Sequence, residues 1–291
     1  MSRPADFVLP VDKPEGPTSH DVVQAARRSL GVRRVGHTGT LDPFASGLLL
    51  VCVGKATRLV EYLTGLDKTY DAVARLGQST DTLDREGELV EERSGWAELD
   101  EARIEAVLAA FRGSLEQTPP AYSAKKVRGE AAHRRARRGE TVELTPCVVT
   151  IHTLELTSVD LPHVGLRVRC SSGTYIRSLA HDIGEALGVG AHLVALRRAA
   201  IGRFDISHAL GLEQLDDAAA VEAAAIDPLS ALTHLPTYAA DDADAGRLTH
   251  GQPVPVGEPT AGLVAVAHGG ALLAIGECAD GLLRPRKVFA E

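Results

Sequence analysis

Apolar and polar residues alternate most cleanly over Lys68 to Leu76 (KTYDAVARL), where Tyr70, Ala72, Ala74 and Leu76 share one face and predict a strand. Val148 to Val159 and Val164 to Cys170 alternate in the same way. In the second, Arg167 and Arg169 point away from Val164, Leu166, Val168 and Cys170. The unbroken apolar run Leu48 to Val53 predicts a buried strand, and Phe7 to Val11 and Leu193 to Leu196 predict short ones. Elsewhere the period is helical. Ser19 is placed to cap a helix through Leu30, with Val22, Val23, Ala26 and Leu30 on one face and Gly31 past its end. Thr57 to Leu63 predicts a short helix stopped by Gly65. Ile104, Val107, Leu108 and Phe111 predict an amphipathic helix ending before Gly113. Leu179, Ala180, Ile183 and Leu187 line the inner face of a helix over Ile176 to Leu187, with Gly188 as its terminal glycine. Arg128 to Gly139 reads as a cationic helix almost without large apolar residues.

Between these elements, Gln78 to Gly87 is a polar loop, Thr118-Pro119-Pro120 breaks regular structure, and Ser171-Ser172-Gly173 is a turn. A boundary falls near Leu235-Pro236. Beyond it, a short helix and strands around Val254, Gly262 to Ala267, Leu272 to Glu277 and Leu282 to Val288 predict a small β-barrel module. Residues 1–235 then form one domain and 236–291 a second. Without a βαβα alternation, the class is α+β with a mainly antiparallel sheet.

The composition is that of an ordinary globular protein, 44% hydrophobic and 24% charged over 291 residues. No segment approaches the roughly 20 apolar residues needed to span a bilayer. The start, MSRPADFVLPVDKP, lacks the cationic-then-apolar pattern of a secretory signal. Cys52, Cys147, Cys170 and Cys278 are far apart and read as reduced thiols, three of them in strand-like apolar runs. The expected location is the cytoplasm. A net charge of −8 argues against nucleic acid until its distribution is considered. Acidic residues gather at Asp216, Asp217, Glu222 and Asp227 and again at Asp241, Asp242 and Asp244, whereas basic residues gather between Lys125 and Arg138. One strongly basic face suffices to bind RNA.

Candidate chemistry centres on Gly36 to Leu50 (GHTGTLDPFASGLLL). Gly36 and Gly39 free the backbone around His37, Thr38 and Thr40, and Pro43 biases Asp42 away from helical geometry. A carboxylate on a glycine-rich loop leading into a buried strand is well placed for chemistry, although an Asx-type turn before proline explains it equally well. Three other clusters accompany it: Lys68-Thr69-Tyr70 on a strand face, Ser172 to Arg177 (SGTYIR) at a turn entering a helix, and the basic stretch after Thr118-Pro119-Pro120. Singly, each has a structural explanation: a half-buried aromatic, a surface ion pair, a solvated face.

Together they resemble the TruB family of tRNA pseudouridine synthases. The matching stretches are KPEGPTS (Lys13 to Ser19), RVGHTGTLDPFASGLL (Arg34 to Leu49), KTYDAVARLGQSTDT (Lys68 to Thr82), QTPPAYSAKKVRGE (Gln117 to Glu130), CSSGTYIRSLAHDIGEAL (Cys170 to Leu187) and GAHLVALRR (Gly190 to Arg198). They occur in family order and cover most of residues 7–204. The C-terminal segment resembles the family's PUA-like RNA-binding module more loosely. The resemblance implies a pseudouridine synthase sheet with flanking helices, a thumb insertion at about 120–145, and a PUA-like barrel.

It also implies a reaction: the uridine at position 55 of the tRNA T-loop is flipped out and isomerised without cofactor or metal. Asp42 would be the nucleophile, adding to the ribose or uracil or taking the C2′ proton. Arg177 would pair with it and keep it ionised. Tyr70 would stack on the base and handle a proton. His37, Tyr175 and Leu196 would contact the flipped nucleotide or line its pocket, and the His37 ring would fill the gap in the stack. Lys13 and Pro14 would support the catalytic loop, and the thumb cations, Arg134 and Arg138 among them, would hold phosphates. His133 and Arg135 stand where the family commonly has thumb aromatics, which shifts weight to charge. The tRNA T-stem-loop is the expected partner of a monomer with no obligatory protein partner and no membrane.

Other classes fit less well. A non-catalytic RNA-binding protein does not need Asp42, Tyr70 and Arg177 together. A glycoside hydrolase needs a second carboxylate, for which Asp84 and Glu86 are the nearest loop candidates. A guide-RNA-dependent relative carries terminal extensions for which this chain leaves little room. The eleven histidines show no HExxH metal motif, and His181-Asp182 reads as surface polarity.

Overall fold

The computed structural model describes residues 6–120, 144–257 and 261–289 throughout, and between them positions 122, 123, 126, 127, 130, 131, 135, 138 and 140. In chain order come β1 (Phe7–Lys13), α1 (Ser19–Leu30), β2 (Val35–His37), β3 (Ser46–Val53), a 3-10 turn at Gly54–Leu59 and α2 (Val60–Thr64). β4 (Lys68–Leu76) precedes the pair β5 (Gln78–Thr80) and β6 (Leu89–Glu92), then α3 (Glu101–Ala109) and β7 (Gly113–Gln117). A short pair, β8 (Lys126–Val127) and β9 (Glu130–Ala131), leads to β10 (Cys147–Asp160), β11 (His163–Cys170), α4 (Ile176–Ala186), β12 (Ala191–Ile201) and β13 (Phe204–Asp205). After α5 (Ala218–Ala224) follow β14 (Thr237–Ala239), α6 (Asp242–Thr249), β15 (Val254–Pro255), β16 (Gly262–His268), β17 (Ala271–Ala279) and β18 (Leu282–Val288).

The larger sheet runs β1-β3-β12-β4-β11-β10-β7, with β2 on β3 and β13 on β12. Only its β3–β12 contact is parallel, so the expected α+β class with a mainly antiparallel sheet holds. The unbroken run Leu48 to Val53 is fully buried because β3 lies inside the sheet and is covered on both faces. β4 alternates buried and half-buried positions as its sequence predicts. Its register sets Tyr70 opposite Val168 of β11 and Arg198 of β12. Burying each such Leu or Val contributes about 1.5–3 kcal/mol.

Several expectations need correction. Thr18, not Ser19, caps α1, in a reciprocal box with Asp21. Ser19 instead turns its buried hydroxyl toward the loop before Asp42. The helix expected over Thr57 to Leu63 is a 3-10 turn that continues into α2. The polar loop Gln78 to Gly87 begins as β5, paired with β6. β12 is far longer than Leu193 to Leu196, because backbone pairing with β4 carries it through Arg197 and Arg198, where the apolar pattern stops. Glu130–Ala131 pairs with Lys126–Val127 where a helix was expected. Arg128, His133 and Arg134 lie outside the described residues.

The second sheet runs β14-β16-β17-β18-β15. Its apolar side meets the first unit: Ala265, Leu272, Ile275 and Phe289 share one cluster with Leu59, Leu63, Ile201 and Phe204. Arg58 lies over the Phe289 ring at 4.9 Å and donates to the Val288 carbonyl at 2.5 Å. The acidic group at the start of this unit caps and braces α6. Asp241 accepts the Asp244 N–H at 2.8 Å, Tyr238 donates to Asp244, and Asp242 faces His268. All four cysteines are free thiols, three of them buried. No described helix is long and apolar enough to cross a membrane.

Candidate active site

A cavity of about 500 Å³ opens where the Thr38–Asp42 loop, the start of β4, the turn before α4 and the middle of β12 converge. Asp42 lies in its wall with its side chain one-third exposed, and Arg177 holds it from a nearly buried position. Arg177 Nε reaches Asp42 Oδ2 at 3.0 Å and Nη2 reaches Oδ1 at 3.2 Å, a two-point contact that fixes the carboxylate plane. The same guanidinium donates through Nη1 to the Thr82 carbonyl at 2.9 Å and to Asp84 Oδ2 at 3.2 Å. Nη2 also donates to the Tyr122 carbonyl at 2.9 Å. Asp84 is buried, and its other oxygen accepts from Thr82 Oγ1 at 2.6 Å and from the Glu86 N–H at 3.0 Å. One guanidinium thus faces two carboxylates, with Lys68 and Arg198 also in the cavity wall.

Burial pushes the Asp42 carboxyl above the ordinary aspartate range, and Asp84 pushes the same way. Arg177 and Lys13 oppose this without reversing it. Arg177 thus favours the charged form of Asp42, as expected of a paired guanidinium, while desolvation is the larger opposing effect. A desolvated carboxylate is a stronger nucleophile than a hydrated one, provided the pH keeps it ionised.

The loop bearing Asp42 is pinned from three sides. Lys13, fully buried at the end of β1, donates to the carbonyls of Pro14 at 2.9 Å, Pro17 at 2.8 Å and Pro43 at 3.4 Å. Its burial lowers its pKa to about 8. Ser19 Oγ accepts the Leu41 N–H at 2.8 Å and donates to the Leu41 carbonyl at 3.1 Å. Arg198, buried on β12, donates to the carbonyls of Leu48 at 2.7 Å, Gly39 at 3.2 Å and Thr40 at 3.5 Å. Gly47 lets β3 approach this arginine: its φ is +111°, and a Cβ there would collide with the Arg198 backbone.

Tyr70 faces the cavity opposite Arg198, its hydroxyl raised in pKa by burial and drawn back by that guanidinium. Lys68, two residues earlier on the same face, donates to the Thr64 carbonyl at 2.5 Å and the Leu66 carbonyl at 2.6 Å, and burial lowers its pKa to about 8. Tyr175 and Leu196 also line the cavity. So Asp42, Tyr70, Arg177, Tyr175 and Leu196 meet at one site, with Lys13 behind the loop. His37 ends β2 outside the cavity lining, its Nδ1 accepting the Gly39 N–H at 3.3 Å. Arg138 is exposed and bonds Glu140 at 2.8 Å, away from the cavity lining. Arg134 lies outside the described residues.

Sequence reasoning passed over Asp84 as a partner of Arg177, did not single out Arg198, and named Lys68 only as part of the Lys68-Thr69-Tyr70 cluster, with no role of its own. The period-2 strand rule carries a signal for the last two: Arg198 follows Leu196, and Lys68 precedes Tyr70, each by two residues on one face.

Residues 27–176 match the N-terminal domain of TruB family pseudouridylate synthases. The chain belongs to the TruB family. Residues 177–234 match the tRNA pseudouridylate synthase B C-terminal domain, and 236–289 match the pseudouridine synthase II TruB C-terminal region. The chain is 47% identical to the tRNA pseudouridine synthase B of Thermobifida fusca, over 98% of this chain and 99% of that one. It is 44% identical to that of an Azoarcus species, over 99% and 96%. Among solved structures, it is similar to a protein in an H/ACA RNP bound to a substrate RNA containing 2′-deoxyuridine, with a TM-score of 0.75, 28% identity, and 98% of this chain and 85% of that one covered. It is similar also to a protein in a Cbf5-Nop10-Gar1 complex, with a TM-score of 0.76, 30% identity and the same coverage. Within this TruB-family fold, the five-stranded C-terminal sheet fits a PUA-like module.

Proposed function

We propose that this chain isomerises the uridine at position 55 in the T-loop of tRNA to pseudouridine, with Asp42 as nucleophile and the target base flipped into the cavity. Family membership makes it a pseudouridine synthase, and its relatives named tRNA pseudouridine synthase B support tRNA as the substrate. The mechanism rests on one observation: the Asp42–Arg177 pair opens into a cavity of nucleoside size, about 500 Å³, walled by Tyr70, Tyr175 and Leu196.

The reaction is an isomerisation. The N1–C1′ bond breaks, uracil rotates, C5 bonds to C1′, the C5 proton leaves and N1 gains one. No oxidant, cofactor or metal is required. Asp42 acts as its anion, on the ribose, on the uracil or on the C2′ proton. Arg177 fixes its direction, and the Tyr70 hydroxyl is the group on the wall suited to move a proton. A stacked uridine presents neither C5 nor its glycosidic bond, so the base must leave the loop. His37 stacks in the vacated position, and thumb cations including Arg134 and Arg138 contact phosphates. The enzyme works as a monomer in the cytoplasm, without an obligatory protein partner.

A guided reaction is the second reading, favoured by the fold similarity to proteins of H/ACA and Cbf5-Nop10-Gar1 complexes. The purified chain, given unmodified tRNA transcript with no other RNA or protein, separates the two. Carbodiimide-dependent primer extension should stop at position 55. A transcript left unconverted, then converted when guide RNA is added, would favour the guided reading.

A further inference from the structure

Gln117 is the last residue of β7, immediately before the Thr118-Pro119-Pro120 break, and it is 1% exposed. Its backbone is held in the sheet opposite Cys147 of β10. Its side chain leaves the sheet and meets the peptide of Tyr175 at both ends. The Tyr175 N–H donates to Gln117 Oε1 at 2.7 Å, and Gln117 Nε2 donates to the Tyr175 carbonyl at 3.0 Å. This reciprocal pair uses the full planar face of the amide and fixes the peptide's position and orientation together.

Tyr175 is the N-cap of α4, with φ −102° and ψ 106°, and its own side chain makes no capping bond. Its carbonyl also accepts the first helical bond, from the Leu179 N–H at 3.1 Å. Gln117 thus supplies from a neighbouring strand the acceptor for the N-cap N–H that an N3 side chain supplies in a capping box. The residue it fixes carries a cavity-lining side chain, and the second residue of the helix it starts is Arg177. Two further contacts tie the same stretches together: Ser178 Oγ donates to the Thr118 carbonyl at 2.9 Å, and Arg177 Nη2 to the Tyr122 carbonyl at 2.9 Å.

We propose that Gln117 is a positioning residue for the reaction, aligning Tyr175 and Arg177, and through Arg177 the Asp42 carboxylate, by clamping the Tyr175 peptide. The proposal rests on the pseudouridine synthase reading of the site. It deepens that reading by assigning part of the alignment to a side chain outside the cavity lining. The clamp lies at the end of β7, just before the stretch at about 120–145 expected as a thumb.

Two variants test it, by single-turnover conversion of tRNA transcript and by tRNA Kd, at a temperature where thermal melts show each variant folded. Gln117→Leu removes both bonds. Its rate should fall by about 10²-fold, the scale of a misplaced reacting group, while Kd stays within about threefold. Gln117→Glu keeps the acceptor for the Tyr175 N–H, but an ionised carboxylate repels the Tyr175 carbonyl. Once protonated, the introduced carboxyl donates to that carbonyl and restores the pair. The rate of Gln117→Glu relative to wild type should therefore rise as pH falls; the ratio cancels the titration of Asp42. A purely structural role predicts a lower melting temperature with an unchanged rate, and that outcome overturns the proposal. So does a Gln117→Glu ratio that is flat or falls on acidification, whether or not Gln117→Leu folds. Wild-type protein inactive in the same assay would instead overturn the functional reading on which the proposal stands.

Discussion

Around the cavity of the large sheet, the buried side chains that matter are cations. Lys13 holds three carbonyls, Arg198 holds three, and Arg177 holds two carboxylates and two carbonyls. In the five-stranded sheet the buried residues are apolar, and its acidic residues sit at the surface as helix caps and braces. The two regions are held together by different means. Burying an ammonium or guanidinium carries a desolvation penalty, visible in Lys13 and Lys68 lowered to about 8, and that penalty is offset only where each donor meets an acceptor. A core of Ile275, Leu272 and Phe289 carries no such penalty. The difference teaches that the charge network stabilises a geometry rather than the fold, whereas the second sheet stabilises its neighbour by packing.

Breaking the network should have the largest effect. Arg177→Met leaves Asp42 and Asp84 without their shared cation. The single-turnover rate should fall by about 10³-fold, the scale of losing a preorganised electrostatic contact. Stability should fall by about 3 kcal/mol for the uncompensated buried charge. Because Arg177 lowers the Asp42 pKa, its removal should move the acid limb of any residual pH–rate profile to higher pH. An acid limb that stays in place would show that Arg177 does not set the Asp42 charge.

Tyr70→Phe keeps the aromatic face and the strand packing but loses the hydroxyl beside Arg198. If that hydroxyl moves a proton, the single-turnover rate drops by about 10²-fold at unchanged tRNA Kd. A rate near that of wild type would confine Tyr70 to stacking.

Ile275→Ala sharpens the other side of the comparison. It should lower stability by about 3 kcal/mol in urea titrations, the usual scale for a fully buried Ile, yet leave the rate of the folded enzyme within about threefold. A large loss of rate with little loss of stability would give the second sheet a catalytic role. For the same reason, removing residues 237–291 would uncover Leu59, Leu63 and Phe204 and cannot act as the removal of a detached module.

The last effect is one of stability with pH rather than of rate. The folded-state pKa of Lys68 is lowered from 10.5 to about 8, so below about pH 8 both folded and unfolded chains carry its proton and the burial penalty is fully felt. Between about 8 and 10.5 the unfolded chain binds more protons, and this contribution makes wild type more stable as pH rises. Lys68→Met lacks it. The stability of wild type minus that of Lys68→Met should therefore increase across this window. A difference independent of pH would mean that Lys68 is not desolvated.

Much of this was legible in the sequence, for physical reasons that also mark where legibility stops. β4 and β11 were readable because each has one buried and one half-exposed or exposed face, which writes a period of two into the chain. Asp42 was readable because its glycine-rich loop leads into a predicted buried strand. Asp84 was not recognised as part of the site, because it lies in a polar turn, QSTDTLDREG, where nothing local marks one carboxylate as buried. Its partners Arg177 and Leu193 lie far along the chain. The length of β12 was hidden because Arg197 and Arg198 end the apolar pattern. Arg197 pairs with Asp12, while Arg198 turns inward to three carbonyls, and residue type alone does not separate them. Ser19 was read as the cap and Thr18 passed over because both residue types can cap. The choice is made by the buried loop that engages Ser19.

We propose that the Asp42 carboxylate, aimed into the cavity by Arg177, performs the isomerisation, and that a T-stem-loop by itself suffices as substrate. Asp42→Asn tests it most directly, since the amide keeps the shape and loses the anionic nucleophile. The measurement is single-turnover pseudouridine formation in a T-stem-loop hairpin, with the Kd for the same hairpin. Wild type should convert the hairpin nearly as well as whole tRNA, and Asp42→Asn should bind it within a few fold and form no detectable pseudouridine. Substantial turnover by Asp42→Asn would contradict the account.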